Sequence, residues 1–337
     1  QQALNLGSLA DVKSVLSYVF SLSAVIQLLG AVLMMPDFIP RFGASHGIFL
    51  SIASSISAFG NAGFTFFDEP VFFLRNDPYV LVVWMLLISA GSLGFLVWRD
   101  LLLYRKQRRL SLHTRVALHV SAWLTGLAFV FFLFTEKVLT PLAGSTSLWH
   151  RIMDTLFLAV VPRTAGLEVV PLRDLTAAGL MIIMLLMFVG GTPGSTSGGI
   201  KTTTLGILWL QSMAALRGQE QVNFGGRRFS QKVVIKAMML AVISIVFVIG
   251  VSLFLSITET IPKGEGLEYI VFEVISAFST TGFSLGLTPH LTTLGKIVIM
   301  MVMFIGRVGL YTVMFSVMNI REKPTSFQYP TEEVIIG

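Results

Sequence analysis

The chain has 337 residues, 54% of them hydrophobic and only 12% charged, with no cysteine and a formal net charge of +6. Soluble domains carry about 25% charged residues, so this balance excludes an ordinary soluble globule and points to an integral membrane protein. Disulfide and thiolate chemistry are excluded too, and the positive charges fall between apolar runs, so no nucleic-acid partner is expected.

Residues 1–11 read as a linker. The opening Gln1-Gln2-Ala3-Leu4-Asn5 lacks a basic n-region, so no signal peptide is read, and the chain is expected to begin within a longer protein. Val12–Met35 is apolar and predicts a spanning helix that ends at Pro36. His46–Phe59 is shorter and rich in Ser and Ala, and it leads into Gly60-Asn61-Ala62-Gly63-Phe64. An acidic turn with Asp68, Glu69 and Asp77 precedes a second span, Pro78–Trp98. A basic linker, 99–115, holds Arg105, Lys106, Arg108 and Arg109.

The order then returns. Val116–Phe134 spans, and Trp149–Val161 is a short segment ending in Pro162-Arg163-Thr164-Ala165-Gly166-Leu167. Leu175–Val189 is apolar over about 15 residues, short of the roughly 17–25 that a crossing helix needs. It runs into Gly190-Gly191-Thr192-Pro193-Gly194-Ser195-Thr196-Ser197-Gly198-Gly199-Ile200-Lys201, and a second apolar run, Leu205–Leu216, follows. The economical reading is one span broken in the middle. Irregular backbone at that depth is tolerated only where protein or water satisfies it, so the break is a candidate gate. A flexible cytoplasmic loop is the competing reading. A phosphate-binding G-x-x-x-x-G-K-T is disfavoured, because Ile200 breaks the spacing and no strand precedes it. A second basic linker, 217–232, leads to the span Val233–Ile257, the short segment Leu267–Phe278, the turn Ser279-Thr280-Thr281-Gly282-Phe283 and the span Leu291–Met318. Residues 319–337 form a polar tail.

This is an all-α membrane protein with an internal repeat of roughly 100–120 residues: span, short segment, glycine turn, span. The units read as 12–98, 116–216 and 233–318. Ile56–Phe59 and Ile275–Phe278 even share Ile-Ser-Ala-Phe. The short segments are too brief to cross and should be re-entrant. Positive charge places both linkers in the cytoplasm, so the short segments enter from outside. Asp37, Asp68, Glu69, Asp77, Glu259, Glu265 and Glu268 then form an outer rim expected to concentrate cations, with plain solvation of the loops as the alternative reading.

The three turns align as Asn61-Ala62-Gly63, Thr164-Ala165-Gly166 and Thr280-Thr281-Gly282, preceded by Gly60, Arg163 and Ser279. Glycine permits backbone angles closed to other residues and leaves carbonyls unobstructed. Rings of such carbonyls replace a cation's hydration shell, and the short helices would point partly negative C-terminal ends at the ion. Plain helix-capping turns are the alternative. Arg307 lies deep in the last span, where a charge costs about 2.5–3.5 kcal/mol on insertion scales, so it should face a cavity as an electrostatic barrier unless it snorkels. The five histidines show no metal-ligand spacing, and no hydrolase motif is present. The protein reads as a non-enzyme. A secondary transporter with broken helices and a midplane substrate site is the alternative function. Three re-entrant segments entering from one side favour a pore.

The three turns, the Gly194–Lys201 stretch and Phe304-Ile305-Gly306-Arg307-Val308-Gly309 together resemble the membrane subunit of Ktr/Trk-type potassium uptake systems, over the whole chain. The closing Tyr329-Pro330-Thr331-Glu332-Glu333-Val334 through Gly337 resembles the Ktr branch. The resemblance implies four helix–pore-helix–helix units around one pore, of which three are visible and the first is missing. The opening Gln2-Ala3-Leu4-Asn5 resembles the linker after that first unit. It further implies that the turns line the filter, that Gly190–Thr204 is the gating loop and that Arg307 faces it. Potassium would be the transported ion and sodium a candidate activator, with no covalent cofactor. The expected partners are a second copy in a homodimer, a cytosolic nucleotide-binding regulatory ring of the RCK type, and the lipid of a bacterial plasma membrane.

Overall fold

The structure, a computed structural model, describes residues 9–67, 71–136, 139, 148–219, 221–260, 265–310 and 312–313. Residues 1–8 of the opening linker, Asp68, Glu69 and the Tyr329–Gly337 tail lie outside the described residues, while linker residues 9–11 belong to the first helix. Three successive sets of a long helix, a short helix and a further helix make up the fold. They are α1 (Leu9–Phe42), α2 (Ala44–Gly60) and α3 (Pro78–Ser92); α5 (Leu112–Thr135), α6 (Leu148–Val160) and α7 (Ala177–Phe188); and α9 (Gln231–Thr258), α10 (Leu267–Ser279) and α11 (Thr293–Val308). Two further helices, α4 (Phe95–Gln107) and α8 (Thr202–Leu216), continue α3 and α7 after a break. Stretches of α1, α5 and α9 are long and apolar enough to cross a membrane, and α3 with α4 makes a fourth candidate if the bent pair is one span.

Two predicted boundaries are corrected. The first helix does not stop at Pro36; it runs through Pro36 and Pro40 to Phe42. Proline removes one ladder bond but does not forbid the last turns. There Arg41 pairs with Asp37 at 2.7 Å and with Asp77 at 2.5 Å. The chain turns instead at Gly43, whose φ of 83° only glycine adopts without strain. The expected span Pro78–Trp98 is two helices meeting at 99°. Its ladder fails because the amides that would continue it are already taken. Gly94 N–H donates to Thr192 Oγ1 at 2.5 Å and Phe95 N–H to the Gly194 carbonyl at 3.1 Å. Trp98 Nε1 donates across the bend to the Ala90 carbonyl at 2.9 Å.

The basic linkers fold onto one another. Asp100 of α4 accepts bonds from the Ser111 and Thr114 hydroxyls at the start of α5. Asn223–Phe224 and Arg227–Arg228 pair as a small hairpin, β1 and β2, through Gly225 and Gly226, both at positive φ as a two-residue hairpin turn prefers. Arg115 Nη1 donates to the Gly225 carbonyl at 3.3 Å, and His119 meets Phe224 edge-on.

The core lies where α2, α3, α6 and α7 meet, with Trp84, Phe59, Phe157 and Met187 buried. Many large apolar side chains of α9, such as Val246, and Trp123, Leu127, Val130 and Phe134 of α5 face outward where lipid would cover them.

Part of the expected acidic rim is engaged inside the fold, while Glu268 stays exposed and Asp68 and Glu69 lie outside the described residues. Glu136 closes α5 and accepts both the Thr176 amide (3.0 Å) and hydroxyl (2.6 Å), while Thr176 Oγ1 caps Gly179 of α7. Glu259 does the same one set later, with Thr292 at 2.7 and 2.6 Å and Thr292 Oγ1 capping Gly295 of α11. Asp77 caps α3 through Val80 N–H at 3.3 Å. Asp77 and Glu259, expected to attract cations, are 8% and 6% exposed and occupied with helix caps. Glu259→Ala is expected to cost about 1.5–3 kcal/mol, because it removes both hydrogen bonds by which the carboxyl group holds the Thr292 cap. Melting in detergent should show Thr292→Ala adding little on top of it, since the two residues act as one unit.

Candidate functional site

The short helices α2 and α10 end in the same way. Asn61 (φ 47°, ψ 47°) and Thr280 (φ 54°, ψ 37°) adopt the left-handed conformation. The next amides reach back five residues, Ala62 N–H to Ser57 O at 3.0 Å and Thr281 N–H to Ser276 O at 2.9 Å. These are Schellman closures. The short helix α6 stops three residues earlier relative to its left-handed residue, at Val160, because Pro162 has no N–H to extend the ladder. Its turn still restores the pattern: Thr164 has φ 79°. Two residues on, Gly63, Gly166 and Gly282 have φ values of 72°, 64° and 93°. Positive φ at alternate residues turns the intervening carbonyls out of the helical direction.

The three turns meet. A Cβ placed on Gly63 would lie 3.0 Å from the Ala165 carbonyl oxygen and 3.3 Å from that of Thr281. One placed on Gly166 would strike the Thr281 oxygen. Thr281 Oγ1 also donates to the Pro162 carbonyl at 3.4 Å. Carbonyls of two sets thus lie against the glycine of the third, and the partly negative ends of three short helices sit beside them.

Beneath the turns lies the loop 189–201. It is held at its base by Gly190 N–H to Ile200 O (2.9 Å), Ile200 N–H to Phe188 O (3.1 Å) and Thr202 N–H to Gly191 O (3.1 Å). Its middle docks on the break in the first set. Thr192 N–H donates to Ser92 O at 3.0 Å and Thr196 N–H to Gly91 O at 3.2 Å. Thr196 Oγ1 accepts from Asn61 Nδ2 at 2.8 Å and lies 2.9 Å from the Gly91 carbonyl. Ser197 Oγ lies 3.3 Å from Ser92 Oγ. Gly91, Gly94, Gly190, Gly191 and Gly198 stand where a Cβ would run into neighbouring atoms. Pro193, Ser195 and Gly199 complete the stretch, with Gly194 at φ 75° and Gly199 at φ 65° making its tight corners. Lys201 starts α8, and its Nζ donates to the Ser197 carbonyl at 2.5 Å.

Arg307 is not in mid-helix, as the sequence reading had it. It lies in the last turn of α11, which breaks at Gly309 (φ 93°), and residues 310 and 312–313 are helical again. The guanidinium reaches Thr280 Oγ1 and the Gly60 carbonyl, both at 3.4 Å, so it joins the ends of α10 and α2 from below. It also acts electrostatically on Lys201. The third helix of each set is therefore interrupted, at Leu93–Gly94, at 189–201 and at Gly309. Sequence reasoning found the middle break alone. The small-residue run Ser89-Ala90-Gly91-Ser92 and the Gly306/Gly309 pair were the available signals.

Arg163 has its backbone and its side chain in different places. Its backbone belongs to the second turn, but Nη2 points away to Ser121 Oγ at 3.1 Å and to the Gly190 carbonyl at 3.5 Å.

Residues 3–329 match the TrkH family, described as cation transport protein. The chain belongs to this family of multi-pass membrane proteins. It is 42% identical to the potassium/sodium uptake protein NtpJ of Enterococcus hirae, over 100% of this chain and 75% of that protein. It is 34% identical to the Ktr system potassium uptake protein B of Bacillus subtilis, over 100% and 74% respectively. It superposes on the crystal structure of the potassium transporter TrkH from Vibrio parahaemolyticus with a TM-score of 0.73 at 18% identity, covering 96% of this chain and 68% of that one. That likeness establishes the fold, and these relatives are named as ion transport proteins.

Gly306 packs so closely that an added Cβ would overlap the Phe278 carbonyl, whereas Gly250 of α9 has open space around it. Gly306→Ala should push α11 off α10 and lower both the melting temperature and ion flux. Gly250→Ala should gain about 0.5–1 kcal/mol from helix propensity and leave flux unchanged. Melting curves and vesicle flux measured side by side check the contrast.

Proposed function

We propose that this protein is the potassium-translocating subunit of a cation uptake system of the bacterial plasma membrane. The observation that carries this reading is the convergence of three glycine turns. Their backbone oxygens crowd one spot and three helix C-termini adjoin it. Dehydrating a cation needs several oxygens at once without a fixed counter-charge that would trap it, and backbone carbonyls supply that. In this reading the filter is Gly60–Gly63, Arg163–Gly166 and Ser279–Gly282, and a further helix–pore-helix–helix unit outside this sequence supplies its fourth quarter. Glycine in all three turns goes with potassium over sodium. The printed names of the relatives support potassium, and that of NtpJ supports sodium as an activator or second ion.

Loop 189–201, Lys201 and Arg307 form the gate. The loop lies directly below the turns, bonded to Asn61 of one of them, and two cations flank it. A potassium ion leaving the turns meets neutral hydroxyls first and fixed positive charge next, which opposes passage until the loop shifts. The two basic linkers touch each other through Arg115 and the β1–β2 hairpin. They form one cytoplasmic surface suited to a regulatory RCK ring or to anionic lipid. The homodimer rests on the resemblance of the tail.

The gate reading predicts that Thr196→Ala, which removes the hydroxyl pinning the loop to Asn61, raises potassium flux in vesicles. One hydrogen bond of about 1 kcal/mol corresponds to a roughly fivefold change in open population. Deleting Thr192–Ser197 should raise it further, and a folded deletion variant no leakier than the parent would sink the gate. The filter reading predicts that Gly63→Ser or Gly282→Ser lowers the potassium-to-sodium uptake ratio in potassium-starved cells. For the linkers, changing Arg105, Lys106, Arg108 and Arg109 to Gln should weaken co-purification with the ring, more so in high salt. Intact, fully regulated complexes from that variant would remove the docking role.

A further inference from the structure

We propose that a cavity between α3, α5 and the end of α6 binds an anion against Arg163. The cavity measures about 320 Å³ and is walled by Ser89 and Ser92 of α3, Ser121 and Thr125 of α5, and Arg163, with apolar side chains filling the rest. Arg163 is 7% exposed. Among the described residues its contacts are one hydroxyl and one rather distant carbonyl, and its Nε has no partner. The ion pairs found among the described residues involve Arg41 and Arg75, and Asp154 of the same short helix is held by Arg75 at 2.7 Å. Guanidinium has five donors and no acceptor, and a buried charge needs a counter-charge or a full hydrogen-bond set. The carbonyl end of α6 offers part of that compensation. The hydroxyls around the cavity can supply further donors, and that composition suits an electron-rich guest.

The shared chemistry of the guest is a hydrogen-bond-accepting anion. Its source is either a free halide or the phosphate of an anionic lipid reaching in past α5, whose outer face carries exposed Trp123 and Leu127. Because Arg163 also holds the Gly190 carbonyl, the first residue of the glycine-rich stretch, occupancy would set how strongly the guanidinium grips the loop. That regulatory consequence rests on the gate reading; binding itself does not, and the experiment reads binding.

Full-length protein in neutral detergent is melted in potassium chloride, potassium bromide and potassium isethionate at equal ionic strength. It is also melted in isethionate with added phosphatidylglycerol or phosphatidylcholine. A higher melting temperature in both halides assigns a free anion, and one with phosphatidylglycerol alone assigns a lipid phosphate. Arg163→Gln should abolish the shift and Arg163→Lys should keep part of it. Equal melting in every condition overturns the proposal, as does a shift that survives Arg163→Gln. Should Arg163→Gln not fold, bromide-soaked crystals of the unaltered protein decide for the halide. For the lipid, the decision rests on a weaker phosphatidylglycerol shift in Ser121→Val with Thr125→Val. An anomalous peak within hydrogen-bonding reach of the guanidinium, or a weakened shift, supports the site. Bromide peaks elsewhere only, together with an unweakened shift, overturn it.

Discussion

Every backbone amide and carbonyl at membrane depth must find a partner within the protein, and that single constraint organises this structure. The irregular loop 189–201 exposes more polar backbone than α7 and α8 can satisfy. Its partners come from α3, which gives up its own helical ladder at Leu93–Gly94 to supply them. Break and loop are therefore one object. Straightening α3 would recapture the Gly94 and Phe95 amides and take from Thr192 Oγ1 and the Gly194 carbonyl the donors they now accept from. The glycines at the contact follow from the same requirement, since backbone can reach backbone only where no side chain intervenes.

A second consequence concerns charge. Three helix C-termini directed at one place concentrate partial negative charge there. Arg307 bonds to the Gly60 carbonyl, in the very turn proposed to hold an ion. A guanidinium drawing on that oxygen weakens its pull on a cation from above, so position of α11 and strength of the site are linked. The break at Gly309, two residues after Arg307, separates α11 from the helical residues beyond it. Motion there need not drag the whole of α11, which is anchored at its other end by Glu259 and Thr292.

What the sequence made legible was periodic and local. Short apolar segments followed by glycine at a fixed offset gave α2, α6, α10 and their turns, because a left-handed residue and a following glycine write themselves into residue type. The broken middle span was legible because its glycines are many. The bend at Gly94 was not, since apolar residues continue through Phe95 and Trp98 and the cause is a hydrogen bond that Gly94 N–H donates to a residue about a hundred positions away. Pro36 misled in the opposite direction, for the helix continues through it and Pro40 to Phe42, where Arg41 pairs with Asp37 and Asp77. The buried acids misled because composition cannot tell a solvated carboxylate from a helix cap. Arg163 was placed by its backbone, whereas the direction of its side chain depends on Ser121 in another helix.

The chemistry of the loop's attachments bears on the role proposed for it. Thr192, Thr196 and Ser197 hold it through neutral hydroxyls and backbone amides. Each such bond contributes about 0.5–1.5 kcal/mol net, so a handful amounts to a few kcal/mol. A two-state element needs a gap of that size: about 5.5 kcal/mol moves a population from 1:99 to 99:1. Buried ion pairs in the same place would cost about 3–5 kcal/mol each to break and would lock the loop against any modest input. The formal charges nearby, Lys201 and Arg307, repel each other and pair with carbonyl or hydroxyl oxygens, so they bias the loop electrostatically without bolting it down. In the proposed gate, such a strap of hydroxyls between two cations would hold a resting position, yield to an input of a few kcal/mol transmitted through α4 and α8, and re-form without a charge having to be desolvated again.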